Sequence, residues 1–346
     1  MKNYRFFLGN KILIILQIVL LVLLSSCSGT GRQKNLTDKT REDFSNIKQE
    51  AKAEQEKNKQ LSFFIGMSQC SFAEPWRAEM NDQLKAAATK HPEFKLVISD
   101  GRQDNNKQNS DIESFIQKGV DLLMVSPNEA EPLTEVIKKA YDSGIPVILI
   151  DRRIKGDSYT QYIGADNILI GQKCGEWVAN YLGPQGGNIV EIMGSIGTSA
   201  QKERHEGFLD GLSINPNARI IASQSSDWLR DKAIDAMDQM LKEHEKIDVV
   251  FSHNDPGAEG AYTSAKNAGR EHEMKFVGID ALPTPDGGIM SVLEGRISVT
   301  YQYPTGAKEA VESAYKLLVK GEKLQRHIKL DTIEITKENA LQVYIN

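Results

Sequence analysis

The sequence predicts an α/β fold built from parallel sheets. From residue 61 onward, short apolar runs alternate with longer amphipathic segments. Nine of these runs are predicted strands, at 61–67, 94–99, 122–126, 146–151, 188–193, 219–222, 248–252, 275–280 and 298–301. The run Val147-Ile148-Leu149-Ile150 is apolar throughout, as is typical of a strand that a parallel sheet buries on both faces.

The segments between these runs predict helices, at 76–90, 111–118, 131–142, 169–181, 202–212 and 231–244. Strands that alternate with helices are connected by right-handed crossovers, which produce parallel sheets. The strands would fit one large sheet, but residues 163–166 read as a linker, and a linker there favours two sheets.

The first 26 residues predict a secretory signal peptide. Lys2, Arg5 and Lys11 make the start basic, an apolar run spans 12–24, and small residues precede Cys27. The run is shorter than the ~20 apolar residues that a membrane-spanning helix needs. An uncleaved anchor with an incidental cysteine is the alternative. Either interpretation places the protein outside the cytoplasm, which argues against cytosolic enzymes and DNA-binding regulators.

Residues 27–60 predict a flexible tether. Charged residues of both signs alternate there with polar ones, and such a segment cannot bury enough apolar surface to fold alone. The chain that remains after the signal, about 320 residues, suits two domains.

Charge and cysteine content exclude several classes of protein. The net charge is −5, so the chain lacks the basic footprint of a nucleic-acid partner. Cys70 and Cys174 could form a disulfide, but Cys174 lies in a stripe with helical core spacing, which favours two buried thiols. The histidines and cysteines have no zinc-site spacing, so no metal or other cofactor is expected.

Polar side chains follow several of the predicted strands. They are Ser68 and Gln69 with Trp76 and Arg77 beyond them, then Ser126, Asp151-Arg152-Arg153, His253-Asn254-Asp255, Asp280 and Gln302. Ligands of open parallel sheets bind beyond the carboxyl ends of the strands. Carboxylate, amide and guanidinium groups can bind neighbouring sugar hydroxyls in pairs, and Trp76, Trp228 or Phe72 can cover apolar sugar faces.

Each of these residues also has a simpler interpretation. Asp255 precedes a proline and could cap a helix, Arg152 or Arg153 could pair with surface carboxylates, and Trp76 could belong to the core. The coincidence across both halves of the chain is what favours a ligand site. Enzyme motifs fit poorly: Gly66-Met67-Ser68-Gln69-Cys70 approaches a nucleophile elbow but ends in cysteine, and residues 194–199 lack the P-loop ending.

Several segments together resemble the periplasmic sugar-binding proteins of the ribose/galactose type, and especially the galactofuranose-binding branch. They are Gly66-Met67-Ser68-Gln69, Pro75-Trp76-Arg77, Ser99-Asp100-Gly101, Ile150-Asp151-Arg152, Ala165-Asp166-Asn167, the stretch from Gly197 to Phe208, Ser252-His253-Asn254-Asp255 and Gly278-Ile279-Asp280. The order and spacing match over most of the region after residue 61. Cys27 after Leu24-Ser25-Ser26 likewise resembles a lipobox and implies lipidation of Cys27 and a membrane anchor.

The family resemblance implies two Rossmann-like lobes joined by a three-stranded hinge, with the ligand held between them. It places 61–164 and 303–329 in the first lobe, and 165–302 and 330–346 in the second. The implied ligand-binding set is Ser68, Trp76, Arg77, Ser126, Asp151, Arg152, Arg204, Trp228, Asn254, Asp280 and Gln302, with Gln302 at the hinge. Ser126 stands where ribose proteins usually have asparagine, and residues 72–75 are this chain's own variant of the first loop.

We therefore expect a monomeric, lipid-anchored binding protein of the periplasm that is not an enzyme. It would capture a furanose or pentose-like sugar by hinge closure and present the closed form to an ABC importer. A sensor that signals to a membrane histidine kinase is the alternative with the same fold, and a secreted hydrolase is the alternative from another class. A transcription repressor of related fold is disfavoured, since a signal and a tether stand where its DNA-binding segment would be.

Overall fold

The structure, a computed structural model, describes residues 62–345. Within this range twelve strands form two six-stranded sheets. The strands are β1 (Phe63–Gln69), β2 (Phe94–Asp100), β3 (Leu122–Ser126), β4 (Val147–Ile150), β5 (Gln161–Ala165), β6 (Gly187–Met193), β7 (Ala218–Ser225), β8 (Val249–Ser252), β9 (Lys275–Asp280), β10 (Val299–Gln302), β11 (His327–Leu330) and β12 (Glu334–Ile335). The α-helices are α1 (Pro75–Ala88), α2 (Asn105–Gln117), α3 (Ala130–Asp142), α4 (Asn167–Leu182), α5 (Ser199–Leu212), α6 (Arg230–Glu243), α7 (Asp255–Asn267), α8 (Gly288–Leu293), α9 (Ala307–Leu318) and α10 (Ala340–Ile345).

Both sheets are built almost entirely from parallel strands. The first has the order β11-β5-β4-β3-β1-β2, and each neighbouring pair is parallel. The second has the order β12-β10-β9-β8-β6-β7, and only the short edge strand β12 is antiparallel to its neighbour. The predicted α/β fold class with two parallel-sheet lobes is confirmed.

Three passages connect the two sheets. The chain leaves the first sheet between β5 and α4, returns between β10 and α9, and leaves again between β11 and β12. Helix α9 packs against α1, and α4 packs against α5. The first lobe is therefore the first sheet with α1–α3 and α9, and the second lobe is the second sheet with α4–α8 and α10.

The prediction that residues 163–166 form a linker is wrong. Residues 163–165 belong to strand β5, which is buried along its whole length and pairs with β4 and β11, so they are not a linker. Gly164 is required there by packing, because a Cβ at this position would overlap the Tyr162 hydroxyl. The nine predicted strands all exist, with ends that shift by at most a few residues.

Other predictions concern cysteines, metals and membranes. Cys70 and Cys174 are both buried and free. The described part of the chain contains no group of three or more His, Cys, Asp or Glu side chains that could hold a metal ion. Between residues 62 and 345, no helix is long and apolar enough to cross a membrane. The predicted signal peptide, the tether and the lipidated Cys27 lie outside the described residues.

Candidate ligand-binding site

A cavity lies between the two lobes. Its lining is Glu74, Trp76, Arg77, Asp151, Arg152, Ala200, Arg204, Trp228, Asn254, Asp280 and Tyr303. The first lobe supplies the residues that follow β1 and β4, and the second supplies those from α5, from the loop before α6 and from the ends of β8 and β9. Tyr303 lies on the passage between β10 and α9, so the cavity meets the hinge.

The lobes are closed around this cavity. Each lining residue is 6 % exposed or less. Hydrogen bonds join the lobes at the rim: Ala130 N donates to the Gly197 carbonyl at 3.3 Å, and Arg153 N donates to Ser199 Oγ at 3.0 Å. A ligand in this cavity would therefore be almost fully removed from water.

Asp151 organises the first lobe's half of the site. Its carboxylate accepts hydrogen bonds from Arg77 Nη2 at 2.6 Å and from the Tyr303 hydroxyl at 3.0 Å. Arg77 Nη1 donates in turn to Ser126 Oγ at 2.8 Å. Burial raises the pKa of Asp151, but the charges of Arg77 and Arg152 outweigh it, so the net pKa is lowered and the carboxyl is ionised at neutral pH.

Arg204 organises the second lobe's half. Its Nε donates to Asn167 Oδ1 at 2.9 Å, and its Nη1 donates to the carbonyl of His253. The guanidinium also lies over the Trp228 ring at 5.4 Å and over the Tyr303 ring at 4.7 Å, which are cation–π distances. These contacts hold a long, flexible side chain in one position.

Asn254 has two roles in the same half. Its Oδ1 caps helix α7 by accepting a hydrogen bond from Gly257 N at 3.0 Å, and its Nδ2 donates to the Trp228 carbonyl at 3.1 Å. The cap is therefore Asn254 and not Asp255, for which the sequence left a capping role open. Asn254 thereby links the loop that carries the indole ring to the start of α7.

Asp280 is the second lobe's buried carboxylate. Burial and then the nearby charge of Asp255 raise its pKa well above the ordinary range. Asp255 lies behind it and accepts hydrogen bonds from Thr300 Oγ1 and Ala281 N, both at 2.7 Å. Asp255 thus supports the backbone next to Asp280 and does not line the main cavity.

Aromatic rings cover the cavity from both lobes. Trp76 donates its Nε1 proton to the Tyr303 carbonyl at 2.8 Å, and its ring centroid lies 5.5 Å from that of Tyr303. Trp228 lies in the second lobe, under the guanidinium of Arg152 at 5.5 Å. Trp76 also belongs to the hydrophobic core, so its two predicted roles coexist.

Three lining residues have backbone conformations that side chains disfavour. The φ angles are +68° at Asp151, +70° at Trp228 and +135° at Asp280. Such conformations cost about 1–3 kcal/mol each and persist only where the surrounding contacts enforce them. They place these side chains in the cavity, which supports a functional role for all three.

Several buried polar atoms in the site lack a hydrogen-bond partner within residues 62–345. They include Arg77 Nε, Arg152 Nε, Trp228 Nε1 and Glu74 Oε1. The cavity therefore presents both donors and an acceptor that a polar ligand could satisfy. This mixture suits hydroxyl groups, which donate and accept at once.

A buried cluster supports the second lobe's half from behind. Glu191 of β6 accepts hydrogen bonds from His253 Nε2 at 2.9 Å, His205 Nδ1 at 2.8 Å and Ser223 Oγ at 2.8 Å. His253 precedes Asn254, and His205 follows Arg204. This contact gives His253, for which the sequence suggested no role, a place in the support of the site.

The structure brings together eight of the eleven sequence-predicted ligand residues. Those that line the cavity are Trp76, Arg77, Asp151, Arg152, Arg204, Trp228, Asn254 and Asp280. Ser126 lies behind Arg77, and Ser68 is fully buried in β1 away from the lining. Gln302 ends β10 at the hinge, where its backbone N donates to the Ile333 carbonyl at 2.9 Å. Ligand binding by this set stays a prediction.

Sequence reasoning missed Glu74, Ala200 and Tyr303 among the lining residues. Tyr303 comes two residues after the predicted strand 298–301 and next to Gln302, so it carried nearly the same signal. Glu74 precedes a proline at the start of a helix, where the helix dipole ordinarily explains an acidic side chain. Ala200 has no polar group, so nothing in the sequence marked it as a lining residue.

Comparisons with known proteins agree with this architecture. The model of the periplasmic binding protein domain matches residues 65–323. The chain is 33% identical over 261 residues to the ribose import binding protein of Escherichia coli (strain K12), which covers 74% of this chain and 86% of that protein. It is 35% identical over 211 residues to the galactofuranose-binding protein of the same strain, covering 59% and 66%. The structure of the fructose binding periplasmic domain of a hybrid two component system superposes with a TM-score of 0.79 at 42% identity, covering 82% of this chain and 93% of that one.

Proposed function

We propose that this chain, which belongs to the periplasmic binding protein family, captures a furanose or pentose-like monosaccharide between its two lobes. The family consists of sugar-binding proteins and not of enzymes, so the secreted-hydrolase alternative is set aside. Sugar binding and an extracytoplasmic location follow from the family, whereas the sugar itself and the anchor are proposals.

The closed cavity is the observation that carries the proposal. Both lobes contribute charged and aromatic side chains to it, and each of these is nearly inaccessible to solvent. A ligand completes the contacts of both lobes only in the closed form, so it shifts the population toward closure. Away from bulk solvent, each hydrogen bond to the ligand is also electrostatically stronger.

The lining of the cavity and the relatives' names favour a small sugar. Eleven residues close around the cavity and each is 6 % exposed or less, so it suits a small enclosed ligand. The relatives named above bind ribose, galactofuranose and fructose, according to their names. A five-membered ring or a pentose is the ligand class that these observations share.

Isothermal titration calorimetry of the purified full chain tests this proposal. The panel is D-ribose, D-fructose, L-arabinose and methyl β-D-galactofuranoside. We expect saturable binding of at least one of them, with loss of binding in Asp280→Asn. The exposed Asp231→Asn on α6 serves as a matched control and should keep wild-type affinity. A wild-type chain that binds no sugar of the panel would contradict the proposal.

We further propose that Cys27 carries a lipid anchor and that the closed form is presented to an ABC importer. The relative named as an import binding protein supports transport. The hybrid two-component relative supports the alternative, a sensor that acts on a histidine kinase. Deleting the gene separates the two: import predicts loss of sugar uptake, and sensing predicts normal uptake with a lost transcriptional response. Mass spectrometry of the mature N-terminus tests the lipid on Cys27.

A further inference from the structure

The backbone of Tyr303 is hydrogen-bonded to both lobes at the hinge. Its N donates to the Asp280 carbonyl at 3.1 Å, and its own carbonyl accepts a hydrogen bond from Trp76 Nε1 at 2.8 Å. Asp280 ends a strand of the second lobe, and Trp76 lies in the first turn of α1 in the first lobe. One buried residue on the passage from β10 to α9 therefore contacts the ligand-site elements of both lobes.

The hydroxyl group of Tyr303 also joins the two lobes. It donates to Asp151 Oδ1 at 3.0 Å and accepts a hydrogen bond from Asn167 Nδ2 at 3.4 Å. Asp151 follows β4 of the first lobe, whereas Asn167 is the first residue of α4 in the second. Because the ionised Asp151 can only accept, the single proton of the hydroxyl goes to it, and a lone pair of the oxygen remains for the amide.

Asn167 connects this hydroxyl to the guanidinium of Arg204. The residue is 1 % exposed, and its Oδ1 accepts from Arg204 Nε at 2.9 Å. Its Nδ2 donates to the Tyr303 hydroxyl and also to Glu203 Oε2 at 3.3 Å. A guanidinium can only donate, so the amide makes these contacts in one orientation. A continuous chain of buried hydrogen bonds thus runs from Asp151 through Tyr303 and Asn167 to Arg204.

Packing of the aromatic ring does not account for the hydroxyl. The ring of Tyr303 lies 5.5 Å from that of Trp76 and under the guanidinium of Arg204 at 4.7 Å. A phenylalanine would supply the same ring to both neighbours. Burying a hydroxyl is costly unless its hydrogen bonds are made, so the contribution of this group lies in the two groups that it joins.

We propose that Tyr303 and Asn167 are positioning residues, which hold Arg204 of the second lobe in register with Asp151 of the first when the lobes close. This inference rests on the proposed function and deepens it by naming the residues that align the two charged halves of the site. The hydroxyl has given its only proton to Asp151, so it acts on the sugar through its protein partners. Loss of the link loosens that alignment and weakens sugar binding without unfolding either lobe.

A double-mutant cycle tests this role. Calorimetry with the full chain uses whichever sugar the wild type binds most tightly among D-ribose, D-fructose, L-arabinose and methyl β-D-galactofuranoside. Tyr303→Phe should weaken its binding by about 10-fold, as expected for the loss of a buried hydrogen bond to a charged group. Asn167→Ala should weaken binding at least as much. In the Asn167→Ala background, Tyr303→Phe should cost at most about 3-fold more, because the link is already broken.

Tyr262→Phe is the matched control, since it removes a hydroxyl from α7 outside the lining of the cavity, and it should bind like the wild type. Circular dichroism and melting temperatures establish that each variant is folded. If Asn167→Ala does not fold, Asn167→Asp replaces it in the cycle, because it keeps the acceptor for Arg204 and removes the donor to the hydroxyl.

Two results would overturn the proposal: wild-type affinity in Tyr303→Phe, or losses that simply multiply in the double variant. Multiplying losses would mean that the two side chains act independently, as they would in two unrelated structural roles. A wild-type chain that binds no sugar of the panel contradicts the proposed function itself, and this role with it.

Discussion

Replacing Asp151 with asparagine should both destabilise the first lobe and abolish sugar binding. Asparagine keeps the size of the side chain and tolerates the φ of +68° at this position. It removes the charge that pairs with Arg77 at 2.6 Å, in a pair whose side chains are only 3% and 4% exposed. Breaking one partner of a buried pair costs about 3–5 kcal/mol, because the other charge stays buried without compensation.

Thermal unfolding and calorimetry measure the two effects of Asp151→Asn. At about 2 °C for each kcal/mol in a chain of this size, the melting temperature should fall by about 6–10 °C at pH 7. The folded-state pKa of Asp151 is lowered, so its stabilisation is present above the unfolded-state pKa and is lost as pH falls through the folded-state value. The difference in melting temperature between Asp151→Asn and the wild type should therefore shrink below about pH 4. Asp157→Asn, at an exposed position in the same loop, is the control. A melting temperature within 2 °C of the wild type with unchanged sugar affinity would refute this reasoning.

Three further predictions concern packing, pH and closure. Gly175→Ala should lower the free energy of unfolding by about 1–3 kcal/mol, and the melting temperature with it, because its Cβ would overlap the Phe208 carbonyl between α4 and α5. An unchanged melting temperature would contradict this. Burial raises the pKa of Glu191, but its hydrogen bonds from His253 and His205 lower it to about 2. The stability that this ionised carboxylate contributes is therefore lost as pH falls from about 4.5 toward 2. In denaturant titrations, Glu191→Gln should remove about 3 kcal/mol from the change in unfolding free energy over this pH range. Arg153→Ala removes a half-exposed ion pair with Glu203 across the lobes, at 3.6 Å, and should weaken sugar binding by about 2- to 5-fold in calorimetry; a 50-fold loss would contradict the assignment.

The parallel sheets could be predicted because their strands are buried on both faces. A run such as β4 has no polar position to interrupt it, so its strand character is visible locally. Strand β5 lacks that signal, since it begins with Gln161 and contains Gly164, yet it is fully buried. Its strand conformation depends on pairing with β4 and β11, and β11 lies more than 160 residues away in sequence. Local patterns cannot reveal such a pairing.

The residues of the candidate site also differ in whether local sequence patterns could predict them. Asp151, Asn254 and Asp280 lie at or just after strand ends, so the geometry of parallel sheets predicted that they would gather at one edge of each half. That the two edges face each other was implied by the family resemblance. Glu74 escaped prediction because an acidic residue at the start of a helix is ordinarily explained by the helix dipole, and only the structure shows that it lines the cavity. Glu191 escaped because its histidine partners lie 14 and 62 residues away in sequence.

The unpartnered groups of the site explain how a small ligand could control closure. Closing the lobes without a ligand buries Arg152 Nε, Trp228 Nε1 and Glu74 Oε1 with no partner in the described part of the chain. Each such group costs about 1–3 kcal/mol, and a ligand that supplies the partner removes that cost. Moving a two-state equilibrium from 1:99 to 99:1 requires about 5.5 kcal/mol of differential affinity, which three groups of this kind can provide. The same side chains would therefore oppose closure of the free protein and stabilise the closed complex. A partner that binds only the closed form would then bind only the sugar-loaded protein.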